Sequence, residues 1–317
     1  MLADREVEHH EAAVVAGGLV EGRSLQRDRH AAPGHGHAVP GHVGQHRAPG
    51  LPGPEVLGGI AEGVEAAGQL AGGQEREGSV GGHAGAPCGG DRGAGICMVM
   101  AAIDIHGPSG RLQGLLDEVA APRFAAVVCH PHPLMGGTMQ THAVHRLARA
   151  VRLAGGTSLR FNYRGVGLSE GRYDRGRGEA DDAGAALGFL AERLPALPRL
   201  CCGFSFGAFV ALSAGPRDAG VAGLLLAGLA LTPIPDLPRD LSPLRALSLP
   251  VAVVQAEHDQ FGAPAAVRAA LAGSSGPRRL AEVRRATHLF TESLDDLQLE
   301  AEAAIGWLLD VAAAPRG

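Results

Sequence analysis

From Met98 onward the sequence predicts an α/β fold: a mostly parallel, doubly wound sheet with helices on both faces. Three observations predict it. Short apolar runs alternate with segments whose apolar residues recur at helical spacing. The run from Phe124 to His130 is apolar almost throughout, as a strand covered on both faces must be. All eight Phe, both Tyr and the single Trp lie at or after Phe124, so the core belongs to this part of the chain.

The elements follow in order. Met100 to His106 and Arg111 to Val119 read as two strands joined at the turn cluster Gly107-Pro108-Ser109-Gly110. Phe124 to His130 is the buried strand. Val144, Leu147, Ala148 and Val151 then follow the i, i+3, i+4, i+7 spacing of an amphipathic helix that stops at Gly155-Gly156. Ser158 to Tyr163 is the next strand, and Ala183, Leu187, Leu190 and Leu194 form one face of a second helix.

Leu200 to Phe204 resumes the sheet, and a helix starts at about Phe206. Val221 to Ala227 and Val251 to Gln255 are strands, Pro264 to Gly273 a helix, and Leu280 to Val283 a strand. A closing helix carries Leu294, Leu297, Ile305, Leu308 and Leu309. A stretch of about 220 residues is enough to bury such a core. The Pro-rich segment Thr232 to Leu249 is too short for a large lid, which predicts a fairly open site.

Residues 1–97 differ in kind. They have no aromatic residue, nearly half of the 48 Gly and more than half of the 15 His. Such a stretch cannot bury enough apolar surface to offset its conformational entropy, so it is expected to be disordered or barely structured. The 317-residue chain has no Lys, its basic side chains all being Arg, which points to GC-rich coding. An over-extended start, with the native one at Met98 or Met100, is a second reading of the same stretch. The chain therefore divides into a low-complexity segment, 1–97, and a folded domain, 98–317.

Composition excludes several classes. A net charge of −5 with scattered Arg leaves no nucleic-acid footprint. The start Met-Leu-Ala-Asp-Arg-Glu-Val-Glu is acidic and no long apolar run follows it, unlike a signal peptide. The longest apolar stretch, Val221 to Leu231, falls short of the about 20 residues that span a bilayer. Of the five Cys, Cys129, Cys201 and Cys202 sit in strand-like surroundings and read as buried, reduced thiols, the usage of a cytoplasmic protein. No membrane or nucleic-acid partner is expected, and the oligomeric state is left open.

The strongest chemical signal is Gly203-Phe204-Ser205-Phe206-Gly207, a G-x-S-x-G placed where an apolar strand gives way to a helix. In that context the turn is tight and strained, its neighbours must be small, and the Ser205 hydroxyl stands near the positive end of the next helix. A serine hydroxyl is a weak nucleophile that needs a base, and the base needs an orienting acid. In strand-turn-helix sites of this kind the acid and then the histidine follow the serine in the chain. Asp259 lies just past the strand Val251 to Gln255 and His288 follows the last strand, both at carboxyl ends where active-site groups belong. Glu257 is the runner-up acid and His258 the rival base.

The oxyanion of an acyl-transfer intermediate needs backbone N–H donors. Phe206, next to the nucleophile, is one. The second belongs to His130-Pro131-His132-Pro133-Leu134-Met135-Gly136-Gly137, where Pro131 and Pro133 have no N–H. His132 or Leu134 remains, and His132 is preferred. Two His separated by one Pro without a carboxylate nearby do not make a metal site, and the His of the first 97 residues have no ligand spacing; no metal is expected. Gly165-Val166-Gly167 lacks the third Gly of a dinucleotide loop, so no nucleotide site is read there.

Together, His130-Pro131-His132-Pro133 with Gly136-Gly137, the segment Arg160 to Gly171 (RFNYRGVGLSEG), Gly203 to Gly207, Asp259 and His288 resemble the small bacterial α/β-hydrolases related to dienelactone hydrolases. The resemblance runs from about Ile103 to the C-terminus. It implies an α/β-hydrolase fold with a minimal lid, a Ser-His-Asp triad, no cofactor, and hydrolysis of carboxylic esters or related acyl compounds, small molecules being the substrates. Dienelactone hydrolases themselves carry Cys at the nucleophile position, where this chain has Ser205. Two other functions are weighed against an esterase-like enzyme: an inactive binding or scaffold protein on the same fold, and a metal-binding protein acting through the His-rich segment.

Overall fold

The computed structural model describes residues 98–232 and 242–314. The expectations for 1–97 lie outside the described residues, as does 233–241, the middle of the segment expected to be too short for a lid. Eight strands form one sheet: β1 (Met98–Gly107), β2 (Gly110–Val119), β3 (Phe124–Cys129), β4 (Gly156–Phe161), β5 (Arg199–Phe204), β6 (Val221–Ala227), β7 (Val251–Ala256) and β8 (Arg278–Val283). Their spatial order is β1-β2-β4-β3-β5-β6-β7-β8. β1 and β2 pair antiparallel through a hairpin closed at Gly107 opposite Gly110, β2 joins β4 antiparallel, and every pair from β4 to β8 is parallel.

The helices are α1 (His142–Leu153), α2 (Arg177–Arg193), α3 (Phe206–Ala214), α4 (Ser242–Ala246), α5 (Pro264–Leu271) and α6 (Leu294–Ala313). Successive residues of a strand point to opposite faces. Phe124, Ala126 and Val128 of β3 therefore pack with α1 and α6, whereas Ala125, Val127 and Cys129 pack with α2 and α3. A strand that serves two cores must be apolar at every position, which is why Phe124 to Cys129 shows no polar alternation. The apolar residues that define α1 and α2 by their spacing, Val144, Leu147, Ala148, Val151, Ala183, Leu187 and Leu190, are all buried.

The structure shifts some boundaries. β4 starts at Gly156 and ends at Phe161, two residues earlier at each end than expected. Gly156 pairs with Phe124 of β3, and a Cβ there would fall 2.4 Å from the Phe124 ring, so only Gly packs at this position. The strand stops early because side chains take over its hydrogen bonding: the Tyr163 N–H is donated to His130 Nε2 (3.1 Å). The short α4 lies in the Pro-rich stretch and, at five residues, is too brief to show a helical spacing. α5 ends at Leu271, since Ala272 is extended and Gly273 has a φ of 73°.

The Arg160 to Gly171 segment is structural. Asp182 of α2 accepts Arg164 Nε and Nη2 at 2.7–3.1 Å and also the Arg164 backbone N–H (2.9 Å). Asn162 donates to Gln113 Oε1 (2.9 Å) and accepts the Met139 N–H (2.9 Å), tying the loop after β4 to β2 and to the loop after β3. Among the described residues, no helix is long and apolar enough to cross a membrane.

Candidate active site

The sheet order creates the site. From β3 the chain moves to β4 on one side, then crosses back so that β5 lies on the other side of β3. Such reversals leave a crevice at the carboxyl ends of the strands. Cys129 at the end of β3 is in register with Gly203 near the end of β5, so the loop that starts at His130 stands beside the turn at Ser205.

Ser205 has φ 55° and ψ −116°, a region that costs about 1–3 kcal/mol for a residue with a side chain. The turn is held from both sides: the Ser205 N–H donates to the Ala227 carbonyl and its own carbonyl accepts the Ala208 N–H, each at 2.9 Å. The flanking glycines are there for space. A Cβ on Gly203 would lie 2.0 Å from the Gly207 carbonyl oxygen, and one on Gly207 would lie 2.3 Å from the Cys129 carbonyl oxygen. Phe206 is the first residue of α3, so its N–H has no acceptor within the helix and sits at the positive end of the helix dipole.

Asp259, after β7, and His288, after β8, meet at Ser205. His288 Nδ1 lies 2.8 Å from Asp259 Oδ2, and His288 Nε2 lies 2.8 Å from Ser205 Oγ. A carboxylate only accepts, so Nδ1 carries the hydrogen and the Nε2 lone pair faces the serine hydroxyl. All three side chains are buried, Asp259 and His288 at 4% exposure and Ser205 at 8%. Phe261 stands edge-on to the His288 ring, with centroids 4.7 Å apart, and Phe204 lies 5.6 Å away on a tilted plane. Phe204 and Phe206 are fully buried and Phe209 nearly so. The rivals do not join: Glu257 and His258 are both exposed, and Glu257 Oε2 accepts the Arg285 N–H (2.6 Å).

Glu257 thereby serves the loop that carries His288. That hydrogen bond from Arg285 holds the Glu257 carboxyl below its usual range. Arg285 and Phe290, on either side of His288, have φ of 59° and 56°. Glu292 accepts the Thr287 N–H and the Thr291 hydroxyl, and His258 N–H donates to the Ala286 carbonyl (2.9 Å). Burial alone would raise the Glu292 carboxyl, but the donors from Thr287, Glu292 and Thr291 outweigh it and hold it at about 2.

In the loop after β3, His132 caps a single 3-10 turn, Pro133–Met135, and its Nδ1 accepts the Leu134 N–H (3.2 Å). Leu134 is thus engaged within the turn. The neutral His132 ring then carries its hydrogen on Nε2, which faces the Tyr173 hydroxyl at 3.1 Å. The ring packs 4.9 Å from Phe206, so this loop and the turn at Ser205 touch directly. Gly137 is obligatory, since a Cβ there would be 2.2 Å from the Pro131 carbonyl oxygen.

His130 has both ring nitrogens in use: Nδ1–H donates to the Pro131 carbonyl (2.7 Å) and Nε2 accepts the Tyr163 N–H. Desolvation by complete burial pushes its pKa down to about 3, only partly countered by the Pro131 bond. It is a neutral strut under the loop. Among the described residues, no group of three or more His, Cys, Asp or Glu is placed to hold a metal ion.

Sequence reading missed Gln255. It is fully buried near the end of β7, its Oε1 accepts the Leu229 N–H (2.8 Å), and its Nε2 donates to Asp259 Oδ2 (2.8 Å) and the Gly262 carbonyl (2.7 Å). The only available signal was an uncharged polar residue closing an apolar strand four positions before the acid.

This fold and this arrangement define an α/β-hydrolase. The profile of the family described as serine aminopeptidase, S33, matches residues 121–247. An α/β serine hydrolase homologue from Coxiella burnetii is 30% identical, covers 64% of this chain and 96% of its own, and superimposes with a TM-score of 0.58. An α/β serine hydrolase without lid from Xanthomonas campestris is also 30% identical, covers 68% and 97%, and has a TM-score of 0.57. A curated, uncharacterized protein of Rickettsia prowazekii (strain Madrid E) is 44% identical over 115 residues, 36% of this chain; the match spans about half of that relative, 48% of its length. The chain belongs to the α/β-hydrolase superfamily.

Proposed function

We propose that residues 98–317 form a serine hydrolase that cleaves carboxylic esters or related small acyl compounds through an acyl-enzyme. One observation carries the reading: the unbroken chain Ser205 Oγ, His288 Nε2 and Nδ1, Asp259 Oδ2, with 2.8 Å at both junctions.

In this mechanism Ser205 Oγ attacks the acyl carbon while His288 Nε2 takes its proton, and Asp259 stabilises the imidazolium. The N–H groups of Phe206 and His132 hold the oxyanion, each donor being worth about 10²–10³ in turnover. His288 then gives the proton to the leaving oxygen, and the acyl group stays on Ser205. Water attacks the acyl-enzyme as His288 removes its proton. Collapse of the second intermediate releases the acid and restores the serine. The chemistry needs no cofactor. Engagement of the Leu134 N–H by His132 Nδ1 favours His132 over Leu134 as the second donor. Cys129, Cys201 and Cys202 are free and buried, which supports a reducing, cytoplasmic setting.

A fluorophosphonate probe, which traps activated serines, tests the reading on the full chain and on a chain shortened to Met98–Gly317. Labelling in both that vanishes with Ser205→Ala is expected. A folded wild-type chain that takes no label would sink the hydrolase reading and leave the fold as a binding scaffold.

A further inference from the structure

We infer that Gln255 is a positioning residue for the acid–base pair, holding the side chain of Asp259 aimed at His288. The inference rests on the hydrolase reading of Ser205, Asp259 and His288.

The amide is oriented without ambiguity. The Leu229 N–H can only meet an acceptor, so Oε1 faces Leu229 and Nε2 faces the acid. Nε2 donates at 2.8 Å to Oδ2, the same carboxylate oxygen that accepts His288 Nδ1–H, while Oδ1 accepts the Phe261 N–H (2.9 Å). Both oxygens thus have a protein donor besides the histidine, and the carboxylate cannot rotate without breaking one of them. The two N–H donors fix the plane of the carboxylate, and with it the direction in which Oδ2 meets the histidine.

Gln255 also fastens two loops to each other. Through Leu229 it holds the segment after β6, where Gly228 leaves just enough room for the histidine: a Cβ there would be 3.2 Å from His288 Cε1. Through the Gly262 carbonyl (2.7 Å) it holds the loop that carries Asp259. One side chain therefore sets the acid against the base and closes the floor beneath the base.

Without the donated N–H the Asp259 carboxylate keeps only the Phe261 N–H to orient it, and its alignment on His288 Nδ1–H loosens. In the full chain, Gln255→Met is expected to lower kcat on the order of 10- to 100-fold with little change in KM, as a small misplacement of a reacting group does. Should Gln255→Met not fold, Gln255→Asn, which keeps a buried amide but is one methylene too short to reach Asp259 and Leu229 together, is expected to lower kcat in the same way, again with little change in KM. A folded variant with a lowered Tm but an unmoved kcat would show a merely structural role and overturn the inference. Ser205→Ala separates the two readings. If it alone abolishes turnover while the Gln255 variants match wild type, only the role of Gln255 falls; if it matches wild type, the hydrolase reading falls and takes this one with it.

Discussion

His288 Nε2 lies 2.8 Å from Ser205 Oγ although 83 positions separate the two residues in the chain. The distance is short because both follow parallel strands of one sheet and leave it at the same edge. The serine is held rigidly by the turn into α3. The histidine stands on a longer loop braced by Glu257 and Glu292 through backbone N–H groups.

Asp259→Asn should leave the fold intact and lower kcat on an activated ester by about 10⁴. An amide in place of the carboxylate offers an N–H toward Nδ1, favours the tautomer with hydrogen on Nε2, and removes the base from Ser205. Glu257→Gln, which keeps an acceptor for Arg285, should change kcat by less than about tenfold, as for a residue outside the reacting groups. Equal losses for the two variants would reject the assignment of the acid.

Gly207→Ala places a methyl group against the Cys129 carbonyl at the point where β3 meets the turn. Two backbone segments must separate, which should cost about 1–3 kcal/mol or more and misplace Ser205. Thermal melting and probe labelling should both report it. A variant as stable and as reactive as wild type would show that the turn has room the geometry denies.

Asp182→Ala removes the partner of Arg164, whose side chain is 9% exposed. An unpaired buried charge typically destabilises by about 3–5 kcal/mol, read as a lower urea midpoint. Asp182→Asn, which keeps one acceptor, should lose less. No loss in either variant would mean that Arg164 finds water on unpairing.

Stability should fall on acidification through a window set by His130. Its folded pKa, about 3, lies below the usual 6.5, so between these values the unfolded chain binds a proton that the folded one does not. The stabilisation is full above pH 6.5 and declines as the pH falls toward 3. Glu292 acts in the same direction lower down, from its ordinary 4.5 toward about 2. Denaturant midpoints across this range check the sign, and His130→Gln, which cannot take up a proton, should flatten the upper part. A wild-type midpoint that is unchanged or rises between pH 6.5 and 4.5 would contradict the role of His130.

Much of this protein is determined by local sequence. The strands of a doubly covered sheet must be apolar at every position, and the helices that cover it must repeat at 3.6, so β3, α1, α2 and the α/β architecture are legible without coordinates. Ser205 is legible for a similar reason: the turn leaves no space for a Cβ at Gly203 or Gly207, and that demand is written as glycine. The order serine, acid, histidine narrows the partners to one loop each.

Only the tertiary structure decides between near neighbours. Glu257, His258 and Asp259 are adjacent in the chain, and their directions depend on how the loop after β7 leaves the sheet: two reach solvent and one turns inward. His130 and His132 are two positions apart and differ just as sharply, one a neutral strut beneath the loop and the other the cap of its turn. For Gln255 the chain shows only a polar residue closing an apolar strand, because its partners, Leu229, Asp259 and Gly262, come from two different loops. A hydrogen bond between segments is a property of their packing, and no periodicity of the chain encodes which buried polar atom will find which other.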